Sequence, residues 1–311
     1  MTFEYVFGPV PSRRLGLSLG VDLVRHKTCS LNCVYCECGP TTRLTLERGE
    51  YVPTKGALEE LDRFLSPGPQ LDFVTFSGSG EPTLHQGLGQ VARHVKARHP
   101  AYQVALLTNA TLFSRPDVRE DAAEAHVVMA SLDAATPGAF STVNRPHPAL
   151  DLEEMIQGLA EFASGYQGEL WVEVFLVAGV NDTDAELCAL SRVLTRIPHA
   201  RVVVNTLDRP GSEPWVEVPE PRVLARAQEL FCARTLGPPA GKAPGPGGGE
   251  GERFLAFIRR RPATVEDLAR AHGMEIEKVR DILRPLVEGG SVVMEERARG
   301  VFYRALNAPA S

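Results

Sequence analysis

The sequence predicts an α/β protein in which six strand-helix units form a partial (βα)6 TIM-like barrel, followed by a small C-terminal winged-helix domain. Three observations support this prediction. Short β-prone runs alternate with helical patterns along most of the 311-residue chain, a segment rich in glycine and proline interrupts them, and further helical and β-prone runs follow. Apolar strands joined by helices indicate a parallel sheet, and right-handed crossovers curl such repeats toward a barrel. An open doubly wound sheet is the alternative.

Six strands are expected before the interruption. They are LSLGVDL (17–23), DFVTFS (72–77), QVALLT (103–108), HVVMAS (126–131), LWVEVFLV (170–177) and RVVVNT (201–206). Between them lie stretches with apolar residues at helical spacing, namely KGALEELDRFL, GLGQVARHVKA, DLEEMIQGLAEFA and DAELCALSRVL. In either topology, the residues that directly follow the strands are the candidates for chemistry, because ligands bind at the carboxyl ends of parallel strands.

The interruption divides the chain into predicted domains at residues 1–236 and 252–311. Its sequence, GPPAGKAPGPGGGEG (237–251), has few side chains to bury and is typical of a flexible linker. Three helical patterns follow it, and then two β-prone runs lie within SVVMEERARGVFYRAL. Thr264 is a candidate N-cap, and Gly273 lies where the bend of a helix-turn-helix would fall. This order of elements is typical of a winged helix.

Charge and hydropathy limit the classes of partner. The net charge is −6, and residues 1–249 carry 22 basic and 29 acidic side chains, against 11 and 10 in residues 250–311. An acidic body has no general attraction for polyanions, so a nucleic acid would need a local basic patch. No apolar run approaches the roughly 20 residues of a membrane span, and the first residues lack the order of a signal peptide. We therefore expect a cytoplasmic protein with no membrane partner.

The most unusual feature is a cluster of cysteines in CSLNCVYCECG (29–39). Cys29, Cys33 and Cys36 form C-x-x-x-C-x-x-C, and Cys38 follows. Four thiols in one loop of an intracellular protein suggest metal binding or redox chemistry, and soft sulfur ligands suit an iron-sulfur cluster or zinc. Three thiolates leave one metal position open to a substrate, whereas a structural zinc site would use Cys38 as a fourth ligand.

The sequence also predicts whether several other cysteines, histidines and arginines are buried or exposed. Cys188 and Cys232, each alone in or near a helical pattern, are expected to be buried core residues. Cys38 is either a spare thiol near the metal or a packed residue. His85, His147 and the pair Arg13 and Arg14 are expected to be surface or loop groups.

The cysteine spacing, with Tyr35 just before the last cysteine, resembles the hallmark of the radical S-adenosylmethionine superfamily. GSGEP (78–82) is similar to the glycine-rich segment that holds the cofactor's amino group in that superfamily. Four later segments follow successive strands in an order that resembles the iron-sulfur oxidoreductases related to wyosine-tRNA synthases. These segments are LLTNATL (106–112), ASLDAAT (130–136), NRPH (144–147) and LVAGVND (176–182). The resemblance covers most of residues 7–215.

The resemblance implies a mechanism and two cofactors. Cys29, Cys33 and Cys36 would hold a 4Fe-4S cluster, and S-adenosylmethionine would chelate the fourth iron. One electron from a low-potential donor of the flavodoxin or ferredoxin type would release methionine and a 5′-deoxyadenosyl radical that abstracts hydrogen from a substrate, with RNA modification as one candidate reaction. The protein would place the cluster, tune its potential and exclude water.

The resemblance also implies roles for individual residues. Tyr35 would lie near the adenine, and Gly78, Gly80 and Glu81 would line the methionine end, where glycines let the backbone approach a ligand closely. The candidates for the ribose or carboxylate are Asn109, Ser131 and Asp133. Further pocket candidates are Arg145, Glu173, Asn181 and Asn205. The wyosine-type enzymes carry an additional cysteine-bound cluster, for which this sequence has no cysteine set.

Two other functions remain open at this point. A DNA-binding redox sensor would report oxygen or iron through the winged helix. A radical enzyme acting on a peptide or protein would use the winged helix to recruit it. The basic residues that could meet phosphates are Arg259, Arg260, Arg261, Arg297, Arg299 and Arg304, but the third helical pattern mixes acids with bases, so nucleic-acid contact and protein docking are equally open.

Overall fold

A seven-stranded sheet forms the centre of the computed structural model, which describes residues 3–12, 14–233, 250–297 and 299–306. Most of the predicted linker, and Arg13, lie outside the described residues. The strands of this sheet are β1 (Val6–Ser12), β2 (Gly16–Val21), β5 (Phe73–Phe76), β6 (Gln103–Thr108), β7 (Val127–Ser131), β8 (Glu169–Phe175) and β9 (Arg201–Asn205). Two short segments, β3 (Thr28–Cys29) and β4 (Arg43–Leu44), pair with each other.

The strand order decides between the two predicted topologies. From β2 to β9 the six strands are parallel, and their order in the sheet follows their order in the chain. A doubly wound sheet reverses its order at a switch point, and no reversal is present among the described strands. The α/β class and the parallel sheet are confirmed, and the sequential winding is consistent with a partial barrel.

The strand β1 is not indicated by the sequence pattern. It pairs antiparallel with β2 at one edge of the sheet and contains Pro9 and Pro11. Proline lacks a backbone N–H, so a strand that contains it is confined to a sheet edge. Its prolines also argue against predicting a strand from the sequence.

In the described part of the chain before residue 234, seven helices pack against the sheet. They are α1 (Thr54–Leu65), α2 (Leu88–Arg98), α3 (Pro116–Ala122), α4 (Pro137–Val143), α5 (Leu152–Gly165), α6 (Asp184–Leu194) and α7 (Pro221–Leu230), and a 3-10 turn spans Pro82–Leu84. Apolar residues at helical spacing pack inward; Leu61 and Leu65 of α1 and Val91 and Val95 of α2 are fully buried in the main core. Among the described helices, none is both long and apolar enough to cross a membrane.

The C-terminal residues form three helices and a hairpin, which we call the C-terminal unit. Its elements are α8 (Glu250–Arg260), α9 (Val265–His272), α10 (Ile276–Glu288), β10 (Val292–Arg297) and β11 (Gly300–Ala305). Thr264 caps α9 through a capping box with Asp267, and Gly273 ends the helix with a left-handed φ of 63°. The predicted cap and bend are therefore confirmed.

The C-terminal unit contacts both edges of the sheet. At one edge, Val10 of β1 belongs to the apolar core of the unit, together with Phe254 and Leu268. Beyond the other edge, Arg209 follows β9 and donates hydrogen bonds to the Pro262 carbonyl (2.9 Å) and to Asp267 (2.6 Å). The unit thus spans the two strands that a closed barrel would pair with each other.

Candidate functional site

The predicted site residues gather at the carboxyl edge of the parallel strands. The cysteine loop follows β2, GSGEP follows β5, Asn109 follows β6, and Ser131 ends β7 just before Asp133. Parallel strands point their carboxyl ends the same way, so segments far apart in the chain meet here.

A buried lysine contacts the cysteine loop and is absent from the sequence prediction. Lys27 is 3% exposed, and its Nζ donates to Cys36 Sγ at 2.8 Å and to the Gly39 carbonyl at 3.3 Å. Burial alone would lower the pKa of Lys27, but attraction to the clustered sulfurs, Cys36 foremost, raises it above its ordinary value. The site therefore keeps a positive charge beside the cysteines.

Two amide side chains approach the other sulfurs. Asn109 Nδ2 lies 3.5 Å from Cys29 Sγ, and Asn144 Nδ2 lies 3.5 Å from Cys33 Sγ. Asn144 also has a buried Oδ1 without a hydrogen-bond partner in the described structure. Each cysteine of the triad thus has a side-chain N–H donor, and such donors favour thiolate over thiol.

The thiols have different acidities. Burial raises the pKa of Cys29 to about 11 and also raises the pKa of Cys33. For Cys36, a hydrogen bond from the Cys38 side chain is the largest influence, and with the Lys27 charge it outweighs burial and lowers the pKa to about 5. The first sulfur to lose its proton is therefore Cys36, and a positively charged metal would be needed to ionise the other two at neutral pH.

These surroundings fit the 4Fe-4S cluster that the resemblance implies. Three soft donors come from one short loop, and a lysine and two asparagine amides direct N–H groups at them. Hydrogen bonds to sulfur are the usual means by which proteins tune such a cluster. The Cys38 sulfur lies 3.3 Å from the Gly78 carbonyl oxygen and 3.1 Å from the Arg260 carbonyl oxygen, and its single proton can serve only one of these acceptors or Cys36 at a time.

Replacing Lys27 with methionine tests its support of Cys36. The change removes the cation but keeps the length of the side chain, so we expect the pKa of Cys36 to rise. Each unit of rise corresponds to about 1.4 kcal/mol, moves the midpoint of the alkylation profile up by one pH unit, and slows alkylation about tenfold at pH values below both midpoints. The measurement is the pH dependence of iodoacetamide labelling of Cys36 in cluster-free protein, followed by peptide mass spectrometry.

The control for this experiment is Lys55→Met. Lys55 is an exposed lysine on α1 that pairs only with Glu59 in the described structure. The Lys55→Met substitution should leave the labelling profile of Cys36 unchanged. A wild-type profile in the Lys27→Met protein would contradict the role given to the Lys27 charge.

Tyr35 is locked by an aromatic and a carboxylate. Its ring stacks on Phe175 with centroids 3.8 Å apart, and its hydroxyl donates to Asp133 Oδ2 at 2.5 Å. The same carboxylate accepts from Asn144 Nδ2 (2.7 Å) and from the Phe175 backbone N–H (2.9 Å), and burial raises the pKa of Asp133 to about 6. Asp133 therefore links the tyrosine to the asparagine beside Cys33, and its predicted contact with the cofactor stays a prediction.

Glu81 is a buried junction between strand ends. One oxygen accepts from the Thr83 hydroxyl (2.7 Å), the Thr83 backbone (3.1 Å) and the Thr108 hydroxyl (2.6 Å), and the other accepts from the Asn109 backbone (2.7 Å). Burial raises the pKa of Glu81, and these hydrogen bonds oppose the rise. Its carboxylate holds Asn109 in place, and a contact with the methionine end stays a prediction.

The two glycines of GSGEP meet the predicted need for close approach. A Cβ on Gly80 would lie 1.8 Å from the Thr28 carbonyl oxygen, so only glycine fits beside the start of the cysteine loop. Gly78 has a φ of +128°, a conformation that side chains rarely adopt. The first glycine thus allows an unusual turn, and the second lets the segment pack on the loop.

Three of the remaining pocket candidates are neighbours, because Ser131 of β7 pairs with Glu173 of β8 and Asn205 Nδ2 donates to Glu173. The Ser131 hydroxyl has no hydrogen-bond partner in the described residues. Asn181 is buried, where its Oδ1 accepts from the Val177 N–H and its Nδ2 donates to the carbonyls of Asp133 and Phe175. Arg145 forms an ion pair with Glu213, and its carbonyl accepts from the N–H of Asn32 in the cysteine loop at 3.1 Å. The structure places Glu173 within 2.6 Å of Arg14 and 3.3 Å of Asn205. Arg14 is thus a partner of a candidate site residue, which the sequence does not indicate.

Three predictions about burial are wrong. Cys188 and Cys232 are exposed. In α6 the buried stripe is Leu187, Leu190 and Leu194, and Cys188 lies off it. His85 is fully buried, where Nε2 bonds to the Val52 carbonyl (2.9 Å) and Nδ1 accepts from the Gly87 backbone (3.0 Å), because the chain turns inward after GSGEP.

Comparison with known proteins places the cysteine loop in a family context. Residues 23–191 match the family described as the radical SAM superfamily. A UPF0026 protein of Helicobacter pylori is 34% identical over 270 residues, which cover 84% of this chain and 86% of that protein. The residues matched by the family model include the cysteine loop and the carboxyl ends of β5, β6, β7 and β8.

Two other relatives are longer or more distant. A protein of Brachyspira hyodysenteriae named GTPase Obg is 33% identical over 308 residues, 97% of this chain but only 45% of that protein, so the chain spans less than half of that relative. A dual-specificity RNA methyltransferase RlmN of Anaeromyxobacter dehalogenans is 27% identical over 219 residues, 67% of this chain and 57% of that protein.

Proposed function

The chain belongs to the radical S-adenosylmethionine superfamily and to the UPF0026 family, and from this premise we propose that it is an enzyme that abstracts hydrogen from its substrate with a 5′-deoxyadenosyl radical. Its cofactors are a 4Fe-4S cluster and S-adenosylmethionine. When bound, the cluster supplies one electron to the sulfonium, which divides into methionine and the radical. The observation that carries the proposal is the cysteine triad with an N–H donor at every sulfur, beside a glycine-rich segment at the same sheet edge.

The residues of this chain divide into ligands and supports. Cys29, Cys33 and Cys36 hold the cluster, and Lys27 stabilises the negative charge that builds up on its sulfurs. Asn109 contacts Cys29 and is fixed by Glu81 through its backbone N–H. Asp133 orients Tyr35, whose ring is proposed to lie near the adenine.

The substrate class is proposed from kinship. The branch related to wyosine-tRNA synthases and the likeness to an RNA methyltransferase both support RNA modification. GTP binding is not part of the proposal, because a phosphate-binding loop needs Gly-Lys before serine or threonine, and Gly241 and Lys242 precede Ala243. A low-potential flavodoxin or ferredoxin is the proposed electron donor, since every enzyme of this superfamily needs a reductant.

The C-terminal unit is proposed to be a winged-helix domain of the 252–311 segment, docked on the 1–236 barrel domain. Three helices followed by an antiparallel hairpin support this assignment. Its basic residues are largely committed within the chain: Arg260 is packed near Asp22, and Arg299 pairs with Asp208 and Asp267. This commitment favours docking of a protein or peptide over a broad nucleic-acid surface.

One contact favours a second function. Cys38 donates to the Arg260 carbonyl at the end of α8 and neighbours Cys36, so the cysteine loop touches the C-terminal unit directly. A DNA-binding redox sensor would use such a link to report the state of the cluster. Cluster-dependent DNA binding without binding of S-adenosylmethionine would select this function over the enzyme.

Anaerobic reconstitution tests the enzyme proposal. We expect the protein to take up four irons and four sulfides, and to form 5′-deoxyadenosine and methionine when dithionite and S-adenosylmethionine are added. Liquid chromatography with mass spectrometry measures both products. Fully loaded protein that forms neither product, or protein that holds one zinc on four sulfurs, would overturn the proposal.

A further inference from the structure

The geometry points to a second metal site, distinct from the cysteine loop, in which Asp62, His94 and His99 bind a zinc ion between α1 and α2. These three side chains each offer a ligand atom, and the three atoms lie within 4.8 Å of one another. His94 Nε2 lies 2.8 Å and His99 Nε2 lies 2.7 Å from the same oxygen, Asp62 Oδ1. Two imidazole nitrogens and one carboxylate oxygen are a ligand set that zinc uses in proteins.

The backbone around each ligand is well held. Asp62 lies in the last turn of α1, where its carbonyl accepts from Ser66. His99 directly follows α2, its N–H donates to the Val95 carbonyl at 2.8 Å, and its own carbonyl accepts from the Tyr102 N–H. The two helices are fixed to each other by a buried apolar contact layer, so the ligands need not be gathered by folding of a loop.

The exposure of the three side chains suits a three-ligand site. His99 is 12% exposed and His94 23%, whereas Asp62 is 38% exposed. The imidazoles therefore form the inner wall and the carboxylate faces solvent. A fourth, tetrahedral position would be filled by water, as in zinc sites with three protein ligands.

The site lies at the amino ends of the parallel strands, whereas the cysteines lie at their carboxyl ends. His99 precedes β6 by four residues, and Asn109, which contacts Cys29, follows the carboxyl end of the same strand. The zinc and the cluster would therefore bind independently. A metal at this place would fasten α1 to α2, and its contribution would be to stability rather than to the radical reaction.

The test uses the full chain with its cluster loaded, dialysed anaerobically against micromolar zinc chloride. We expect one zinc per chain with the iron content unchanged, and a loss of that zinc in His94→Gln/His99→Gln. Zinc affinity should fall at least about tenfold in the double variant. His199→Gln, which changes an exposed histidine remote from the three ligands in sequence, is the matched control and should keep the zinc.

X-ray absorption at the zinc edge separates this site from zinc on the cysteines. The expected first shell contains only nitrogen and oxygen at about 2.0–2.2 Å, whereas sulfur would appear at about 2.3 Å. If the double variant does not fold, Asp62→Asn replaces it, because the amide oxygen can still accept from the imidazoles. Sulfur in the first shell, equal zinc in wild type and the variant, or no zinc uptake by wild type would each overturn the inference.

Discussion

Replacing Cys33 with serine is expected to abolish formation of 5′-deoxyadenosine. The change removes one of three sulfur ligands and leaves Asn144 beside a poor donor for iron. Outer-shell partners of metal sites are already worth about 10- to 100-fold in affinity or activity, so loss of a ligand should lower product formation by at least about 100-fold. The measurements are iron and sulfide per chain and product by mass spectrometry.

Cys188→Ser is the matched control for this experiment. It removes an exposed thiol in α6 and should leave both the iron content and the product unchanged. A Cys33→Ser protein with wild-type cluster content would contradict the assignment of the triad. Retention of zinc in its place would point to a structural zinc site held by the three remaining sulfurs, those of Cys29, Cys36 and Cys38.

Replacing Gly80 with alanine should destabilise the protein and empty the cluster site. The added methyl would collide with the Thr28 carbonyl oxygen, which also accepts the Glu81 backbone N–H at 3.0 Å. Because this neighbour is backbone, it can move only with the start of the cysteine loop. Overpacking of this kind costs about 1–3 kcal/mol, and we expect a matching fall in the free energy of unfolding of cluster-free protein together with reduced iron uptake.

Gly138→Ala provides the comparison. Gly138 lies in α4, and a Cβ there meets no atom within 4 Å, so alanine should be neutral or stabilise by about 0.4–1 kcal/mol. Denaturant unfolding measures both variants. Equal stability and equal iron content in Gly80→Ala and wild type would show that the loop does not depend on this close approach.

The sheet could be predicted from sequence because its signals are local. Apolar runs such as QVALLT (103–108) coincide with the observed strand, and the spacing of the cysteines identified the loop without knowledge of the fold. The strand β1 was hidden by its two prolines, and the short helices α3 and α4 have too few turns to show a period.

The surroundings of the site could not be predicted, because they depend on pairings across the fold. Lys27 contacts Cys36 because the loop between them folds back on itself. Asn144 contacts Cys33 from a segment more than 100 residues away in the sequence. The exposure of Cys188 could have been predicted from the sequence, since Cys188 lies off the stripe of leucines that α6 buries. Glu81 was correctly singled out, but its four protein hydrogen bonds follow from burial that no local pattern records.

The attachment of the C-terminal unit to both borders of the sheet limits how molecules can reach the interior. The seven-stranded sheet leaves a lateral gap between its edge strands β1 and β9, and Val10 and Arg209 fasten the C-terminal unit across that gap. Sideways entry would require this body to tilt away from one border. We therefore expect the substrate to enter at the carboxyl ends of the strands, beside the cysteine loop. The width of that opening, and not the size of the lateral gap, would then limit the size of the substrate.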